Sequence, residues 1–119
     1  MNERKNLTVE DTFALAVQNQ QKNNLQVAEN LYKETLKINP NHVDAHNNLG
    51  IIFQVLGELQ KAADCHQKSI QIRPNHVDAY NNLGIVFKKL GEHQKAISCF
   101  EKAIKIQPNF ADAHYNLGI

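Results

Sequence analysis

Three prolines at equal spacing restrict the folds open to this chain more than any other feature. Pro40, Pro74 and Pro108 lie 34 residues apart, and each begins the segment Pro-Asn-X-X-Asp-Ala. The residues that follow the first two prolines match each other at well over half of their positions. A period of this length indicates a repeated supersecondary unit, so we expect the chain to be a stack of similar units.

The first half of each unit has the spacing of an amphipathic helix, which we call helix A. In the second unit, Ala45, Leu49, Ile52, Phe53 and Leu56 fall at positions i, i+4, i+7, i+8 and i+11. Residues with this spacing lie on one side of an α-helix. The pattern therefore predicts an apolar stripe that packs against the rest of the unit.

The second half of each unit predicts another helix, helix B. Gly57 follows helix A, and we expect it to take the left-handed backbone conformation that ends many helices. Pro74 closes the unit, because proline lacks the amide hydrogen that a continuing helix would need. Between these two residues, helix B is predicted by an apolar series of Leu59, Ala62, Ala63, Cys65, Ile70 and Ile72.

An asparagine and an aspartate mark the expected start of each helix A. Asparagine is a favourable N-cap residue, and an aspartate three positions later lies near the positive end of the helix dipole. The expected pairs are Asn41 with Asp44, Asn75 with Asp78, and Asn109 with Asp112.

The large and small residues of the units follow one shared pattern. The second unit departs from it at His46, His66 and Ser69, and the first unit departs at Thr12, Ala16, Asn19 and Thr35 while keeping Leu15, Ala28, Tyr32 and Pro40. In this pattern the chain resembles the tetratricopeptide repeat family. The third unit shows it fully, at Tyr80, Leu83, Gly84, Phe87, Ala96, Phe100, Ala103 and Pro108.

The resemblance implies an all-α fold, a right-handed superhelical stack of antiparallel helix pairs known as an α-solenoid. It covers residues 9–119, after a lead-in of residues 1–8, as repeats of about 9–42, 43–76 and 77–110 and a partial repeat of 111–119. The fourth unit stops within its helix A, so we expect the chain to be a fragment. Leu117 and Ile119 would lack a covering helix B, and an apolar end of this kind favours self-association into a homo-oligomer.

A second face of helix A, opposite the apolar stripe, carries polar residues. The resemblance implies that this face lines the concave side of the superhelix, which makes it the candidate binding groove. Its residues recur with the period of the repeat. The predicted groove residues are Asp44, Asn47, Asn48, Ile51, Asp78, Asn81, Asn82, Ile85, Lys88, Lys89, Asp112, Tyr115 and Asn116.

Stacking of the units would align Asn48, Asn82 and Asn116 as a ladder along this groove. An asparagine amide has two N–H donors and an acceptor, so it can pair with the backbone of an extended peptide whatever its sequence. The ladder is similar to the asparagine-lined superhelix of O-linked N-acetylglucosamine transferase and related bacterial proteins. The alternative is that these asparagines are only solvated polar residues on an outer face.

A second family precedent is the clamp that holds acidic chaperone tails with lysine and arginine on the same face. The matching positions here carry Asn47, Ile51, Asn82, Asp112 and Asn116, and none of them is a cation. Because carboxylates need charge-assisted donors, such a clamp is not expected. Lys88 and Lys89 would still favour an acidic stretch.

Charge and composition argue against several other functions. The net charge is +1, which provides no overall attraction to nucleic acid or to an anionic membrane. No run of residues approaches the length of a membrane span, and the polar N-terminus has no export signal. Cys65 and Cys99 form no CxxC pair, which is compatible with a reducing cytoplasm.

Metal and catalytic chemistry find no support in the spacing of the reactive residues. The histidines form no H-x-x-x-H pair, so no metal site and no cofactor are expected, and His46 and His66 are interpreted as replacements for aromatic rings. Ser69 and Ser98 are the only serines, and neither lies in a nucleophile elbow. The chain is therefore not expected to be an enzyme.

These observations predict an interaction module that binds an extended peptide in its concave groove, as the N-terminal part of a longer protein. Two alternatives remain open from the sequence. The stack could be the substrate-selecting arm of a transferase whose catalytic domain follows Ile119, or a scaffold that assembles with copies of itself.

Overall fold

The computed structural model describes residues 7–118, and the interpretations that concern residues 1–6 and Ile119 lie outside this range. Within it the chain forms seven helices and no strand, in a slender body of 55 × 25 × 21 Å. The all-α prediction is confirmed. The helices are α1 (Val9–Gln21), α2 (Leu25–Ile38), α3 (Val43–Val55), α4 (Leu59–Ile72), α5 (Val77–Lys89), α6 (His93–Ile106) and α7 (Ala111–Leu117).

The helices pack as three antiparallel pairs followed by a seventh helix. Helices α1 and α2, α3 and α4, and α5 and α6 form the pairs, which we call units one, two and three. Each helix B also packs on the helix A that follows it, α2 on α3, α4 on α5 and α6 on α7. The structure is thus an α-solenoid in which each unit contacts its neighbours in the chain.

The turn between helix A and helix B needs a left-handed residue in every unit. Gly57 and Gly91 take it with φ of 79° and 80°, as the sequence predicted for Gly57. In unit one the turn contains Asn23, with φ of 64°. Asparagine is among the few residues with a side chain that adopt this conformation readily, so the turn persists without glycine.

The predicted asparagine N-caps are wrong, because a histidine takes the cap position one residue later. Nδ1 of His42 accepts a hydrogen bond from the amide of Ala45 at 3.1 Å, and Nδ1 of His76 accepts one from Ala79 at 3.2 Å. The cap of α7 is Phe110 rather than Asn109, and its side chain makes no capping bond. An imidazole nitrogen serves the same purpose as an asparagine oxygen, since both accept from an otherwise unpaired amide.

The apolar stripe of helix A forms the core of each unit, with one exception. Ala45, Leu49, Ile52 and Phe53 are buried, as predicted. Leu56 is 46% exposed, so its assignment to the stripe is wrong. The helix ends at Val55, and Leu56 is the C-cap residue at the start of the turn, where the helical spacing no longer decides which side chain is covered.

Helix B contributes a ring at one position of every unit. Tyr32, His66 and Phe100 lie 34 residues apart and are almost fully buried. In units two and three each ring packs against the glycine of the facing helix A, Gly50 or Gly84. The interpretation of His66 as a replacement for an aromatic ring agrees with this burial.

Candidate functional site

The A helices lie side by side and form the face on which the groove residues were predicted. Helix α3 contacts α5, and α5 contacts α7. Between α5 and α7 there is an open pocket of about 500 Å³. Its lining consists entirely of predicted groove residues, namely Asn81, Asn82, Ile85, Asp112, Tyr115 and Asn116.

Pairs of asparagines join neighbouring A helices across this face. Nδ2 of Asn82 donates to Oδ1 of Asn47 at 3.4 Å, and Nδ2 of Asn116 donates to Oδ1 of Asn81 at 2.9 Å. Asn47 and Asn81 are only 7% and 6% exposed. The predicted groove asparagines therefore separate into two kinds, a buried row that accepts these bonds and a partly exposed row that donates them.

The partly exposed row still has unused hydrogen-bonding groups. Asn82 and Asn116 each use one N–H in the bond to the preceding A helix, which leaves a second N–H and the carbonyl oxygen of each amide. Both residues line the pocket between α5 and α7. Two amides with donor and acceptor free thus face the same open space.

Asn48, the first member of the ladder, is tied to unit one. Its Nδ2 donates to the Tyr32 hydroxyl at 3.3 Å, and that hydroxyl donates to the side-chain oxygen of Gln20. Burial raises the pKa of Tyr32, an effect that the hydrogen bond from Asn48 partly offsets. Asn48 is therefore held in place by the helix pair that precedes it.

His66 occupies the equivalent of the Tyr32 position and connects units two and three. Its Nδ1 lies 2.9 Å from Oδ1 of Asn47, and its Nε2 lies 2.9 Å from the Gln54 amide. Burial, followed by the nearby His76, lowers the pKa of His66 to about 4, so the ring is neutral at neutral pH. Because Asn47 Oδ1 also accepts from Asn82, we assign the single proton to Nδ1.

This assignment fixes the role of Gln54. A neutral imidazole with its proton on Nδ1 has an acceptor at Nε2, so the Gln54 amide must present its N–H to that atom, which a 180° rotation of the amide provides. Sequence analysis did not find this network. A usable signal existed, because Gln20 precedes Tyr32 by the same interval at which Gln54 precedes His66.

The acidic groove residues begin each A helix. Asp44, Asp78 and Asp112 are exposed. Oδ1 of Asp44 lies 3.9 Å from Nε2 of His76, a buried nitrogen with no hydrogen-bond partner among residues 7–118. Burial, followed by the charge of Arg73, lowers the pKa of His76.

The remaining predicted groove residues lie outside the α5–α7 pocket. Ile51 is partly buried on α3, and Lys89 is exposed at the end of α5. Lys88 borders a different and smaller cavity of about 110 Å³, which it shares with α6 and with Asn116 and Leu117 of α7. The two lysines are thus not brought together with the pocket.

Other reactive groups show no clustering. In the described part of the chain, no group of three or more histidine, cysteine or acidic side chains could hold a metal ion. Cys65 and Cys99 are free thiols, and burial raises the pKa of each to about 11. None of the helices between residues 7 and 118 is long and apolar enough to cross a membrane.

A model of the tetratricopeptide repeat matches residues 42–109. No curated protein was found to match the chain. Among solved structures, the crystal structure of MamA superposes with a TM-score of 0.89 at 31% identity, over 93% of this chain and 65% of that one. YrrB, described as a TPR protein with an unusual peptide-binding site, gives 0.88 at 21% identity, over 95% and 58%.

A third structure is the first TPR of Spaghetti (RPAP3) bound to the HSP90 peptide SRMEEVD. It gives a TM-score of 0.90 at 14% identity and covers 92% of this chain and 87% of that one. At such low identity the likeness concerns the fold alone. The chain spans less than two thirds of the lengths of MamA and YrrB.

Proposed function

The chain belongs to the tetratricopeptide repeat family, and we propose that it is a protein-interaction module that binds an extended peptide segment in the groove of its A helices. The observation that carries this proposal is the pair of half-used amides on Asn82 and Asn116, which face one open pocket. An extended peptide presents alternating N–H and C=O groups, and these amides can pair with both.

The hydrogen bonds between A helices support this role by fixing the amides before a ligand arrives. Asn82 is bonded to Asn47, whose oxygen also contacts the buried His66. Side chains held in one rotamer lose less conformational entropy on binding than free ones. The buried row of asparagines thus contributes by orienting the exposed row.

Two of the structural neighbours are compatible with peptide binding. YrrB is described as having a peptide-binding site, and the Spaghetti repeat is bound to a peptide. Their identity to this chain is too low to transfer a binding mode, so the mode proposed here depends on the residues of this groove alone.

A displayed library of random dodecapeptides provides probes for the experiment. Affinities of the selected peptides would be measured by fluorescence anisotropy for the wild type and for an Asn48→Ala, Asn82→Ala double variant. Loss of two hydrogen-bonding amides is expected to weaken binding about tenfold. Asn30→Ala is the matched control, since Asn30 is an exposed asparagine of α2 outside the groove, and circular dichroism would verify that each variant is folded.

Equal affinity of the double variant and the wild type would remove the asparagines from the mechanism. Failure of the library to yield any peptide that competes for the groove would contradict the proposal as a whole.

A second candidate role is self-association through the cavity beside Lys88. Ile97 on its border is 39% exposed, and Leu117 is only partly buried. Light scattering across a dilution series is expected to show a mass that falls with concentration. A constant monomer mass would reject this role. A cytoplasmic location stays a prediction from the free thiols of Cys65 and Cys99.

A further inference from the structure

We infer that the α5–α7 pocket selects a peptide segment carrying a lysine or arginine side chain. The inference rests on the proposed function, because it concerns the same groove, and it adds the charge of the ligand. Three features of the pocket support it: the sign of its charge, an exposed aromatic ring, and the distance to the lysines of α5.

The pocket is acidic. Asp112 is the only charged residue among those that line it, and it is exposed. Asp78 stands at the same position of the neighbouring A helix and is exposed as well. Within residues 7–118, neither carboxylate makes a salt bridge or a hydrogen bond. A cationic side chain can therefore bind here without displacing an existing partner.

The earlier junction of the stack differs at this point. There the carboxylate of Asp44 lies 3.9 Å from His76, the N-cap of the next helix A. At the junction of α5 and α7 the residue in the place of His76 is Phe110, which has no polar atom in its ring. The carboxylate of Asp78 consequently lacks the neighbour that Asp44 has.

Tyr115 provides a surface for the cation. It lines the pocket, is 76% exposed and lies one helical turn after Asp112. An ammonium or guanidinium group over a tyrosine ring is attracted by its electron density, and its N–H groups can donate to a carboxylate beside the ring. Ile85, on the opposite wall, can contact the aliphatic stem of the same side chain.

This combination occurs once in the described groove. The positions equivalent to Tyr115 in α3 and α5 are Asn47 and Asn81, which are buried between neighbouring A helices. Neither can offer a ring to a ligand. Selection of a basic side chain is thus assigned to one end of the groove, while the asparagine amides serve the backbone of the peptide.

The lysines of α5 do not cancel the acidic charge. Lys88 follows Asp78 by ten residues, which corresponds to about 15 Å along a helix. That separation exceeds the Debye length of about 8 Å at physiological ionic strength. Lys88 also borders the other cavity rather than this pocket.

The experiment compares three labelled nonapeptides of alternating glycine and serine, with one arginine, glutamine or glutamate at the centre. Each is titrated into the ¹⁵N-labelled full chain, and amide chemical shifts report binding even when affinity is weak. The arginine peptide is expected to bind about fivefold more tightly than the glutamine peptide, and the glutamate peptide least tightly. The largest shifts are expected in α5 and α7.

Two variants test the assigned residues. Asp112→Asn and Tyr115→Ala should each reduce the preference for arginine over glutamine, while binding of the glutamine peptide changes little. Asp64→Asn is the matched control, because Asp64 is an exposed aspartate of α4 outside the groove, and it should keep the full preference. Raised salt should weaken only the arginine peptide.

The outcomes separate this inference from the proposed function. If all three peptides shift the groove amides equally, peptide binding stands and charge selection is wrong. If the arginine preference persists in Asp112→Asn, the pocket is not its origin and the inference is again wrong. If no peptide shifts any groove amide, both proposals fall together.

Discussion

Unit two and unit three bury different rings at the same position of helix B. In unit two the ring is the imidazole of His66, hydrogen-bonded to Asn47 and positioned against the Gln54 amide. In unit three it is the phenyl ring of Phe100, and an exposed lysine, Lys88, stands in the place of Gln54. Two units of nearly the same backbone therefore have a polar and an apolar centre.

The difference shows which property of this position the fold requires. A Cβ on Gly50 would lie 2.7 Å from the His66 ring, and a Cβ on Gly84 would lie 2.5 Å from the Phe100 ring. The glycine thus fixes the space for a flat ring. The chemistry of the ring is left free, and in unit two it is used to connect the unit to α5 through Asn47 and Asn82.

Truncation of the two rings is expected to have the largest effect. Phe100→Ala should lower the free energy of unfolding by about 3–5 kcal/mol, the usual cost of removing a buried phenyl ring. His66→Ala should cost about 2–3 kcal/mol, because less apolar surface is lost and water can hydrogen-bond to the amides left behind. Urea unfolding followed by circular dichroism measures both values, with the exposed His93→Ala as control. A larger loss for His66→Ala would mean that the hydrogen bonds outweigh ring burial.

Acid should separate the two units next. The pKa of His66 is about 6.5 in the unfolded chain and about 4 in the fold, because burial disfavours the charged ring. Between these values the unfolded chain binds more protons, so the stabilisation present above pH 6.5 is lost as the pH falls towards about 4. A difference of about 2.5 in pKa corresponds to about 3 kcal/mol.

The variant His66→Phe tests this dependence by giving unit two the ring of unit three. Urea unfolding at several pH values is expected to show a shallower loss of stability in acid than the wild type shows. His46 and His76, whose pKa values burial also lowers, remain in both proteins and set the residual slope. The same slope in both proteins would mean that His66 is not the residue that titrates.

Filling the space beside the rings should have the smallest effect. Gly84→Ala forces the Phe100 ring to move, at a cost of about 1–3 kcal/mol, while alanine regains about 1 kcal/mol of helix propensity over glycine. We expect a net loss of about 1–2 kcal/mol, and a similar one for Gly50→Ala against His66. Combining Gly84→Ala with Phe100→Ala should cost less than the two changes separately. Additive losses would show that ring and glycine do not compete for the same space.

Sequence reasoning predicted the features that depend on the chain within one unit. The stripe of Leu49, Ile52 and Phe53 and the left-handed Gly57 follow from helical period and backbone sterics, and both were confirmed. Asn41 was chosen over His42 as N-cap because asparagine is the commoner cap, a preference that says nothing about an imidazole with the same reach. Propensity alone could not decide between them.

Features that depend on contacts between units could not be predicted. Asn47 and Asn48 are adjacent in the chain, but the first is buried and the second partly exposed, because the neighbouring A helix covers only one of them. Which one it covers depends on the angle between successive units, and no residue pattern within a unit specifies that angle. Peptide binding by the groove likewise remains a proposal.

The slender form of the molecule, 55 Å long and 25 × 21 Å across, has a mechanical consequence. Each unit is held only by those next to it, so a small change of tilt at one junction moves everything beyond it as a rigid arm, and equal changes at successive junctions add together. A ligand that spans several A helices therefore acts as a splint. It sets the bend of the whole stack, although it touches only a narrow strip of it.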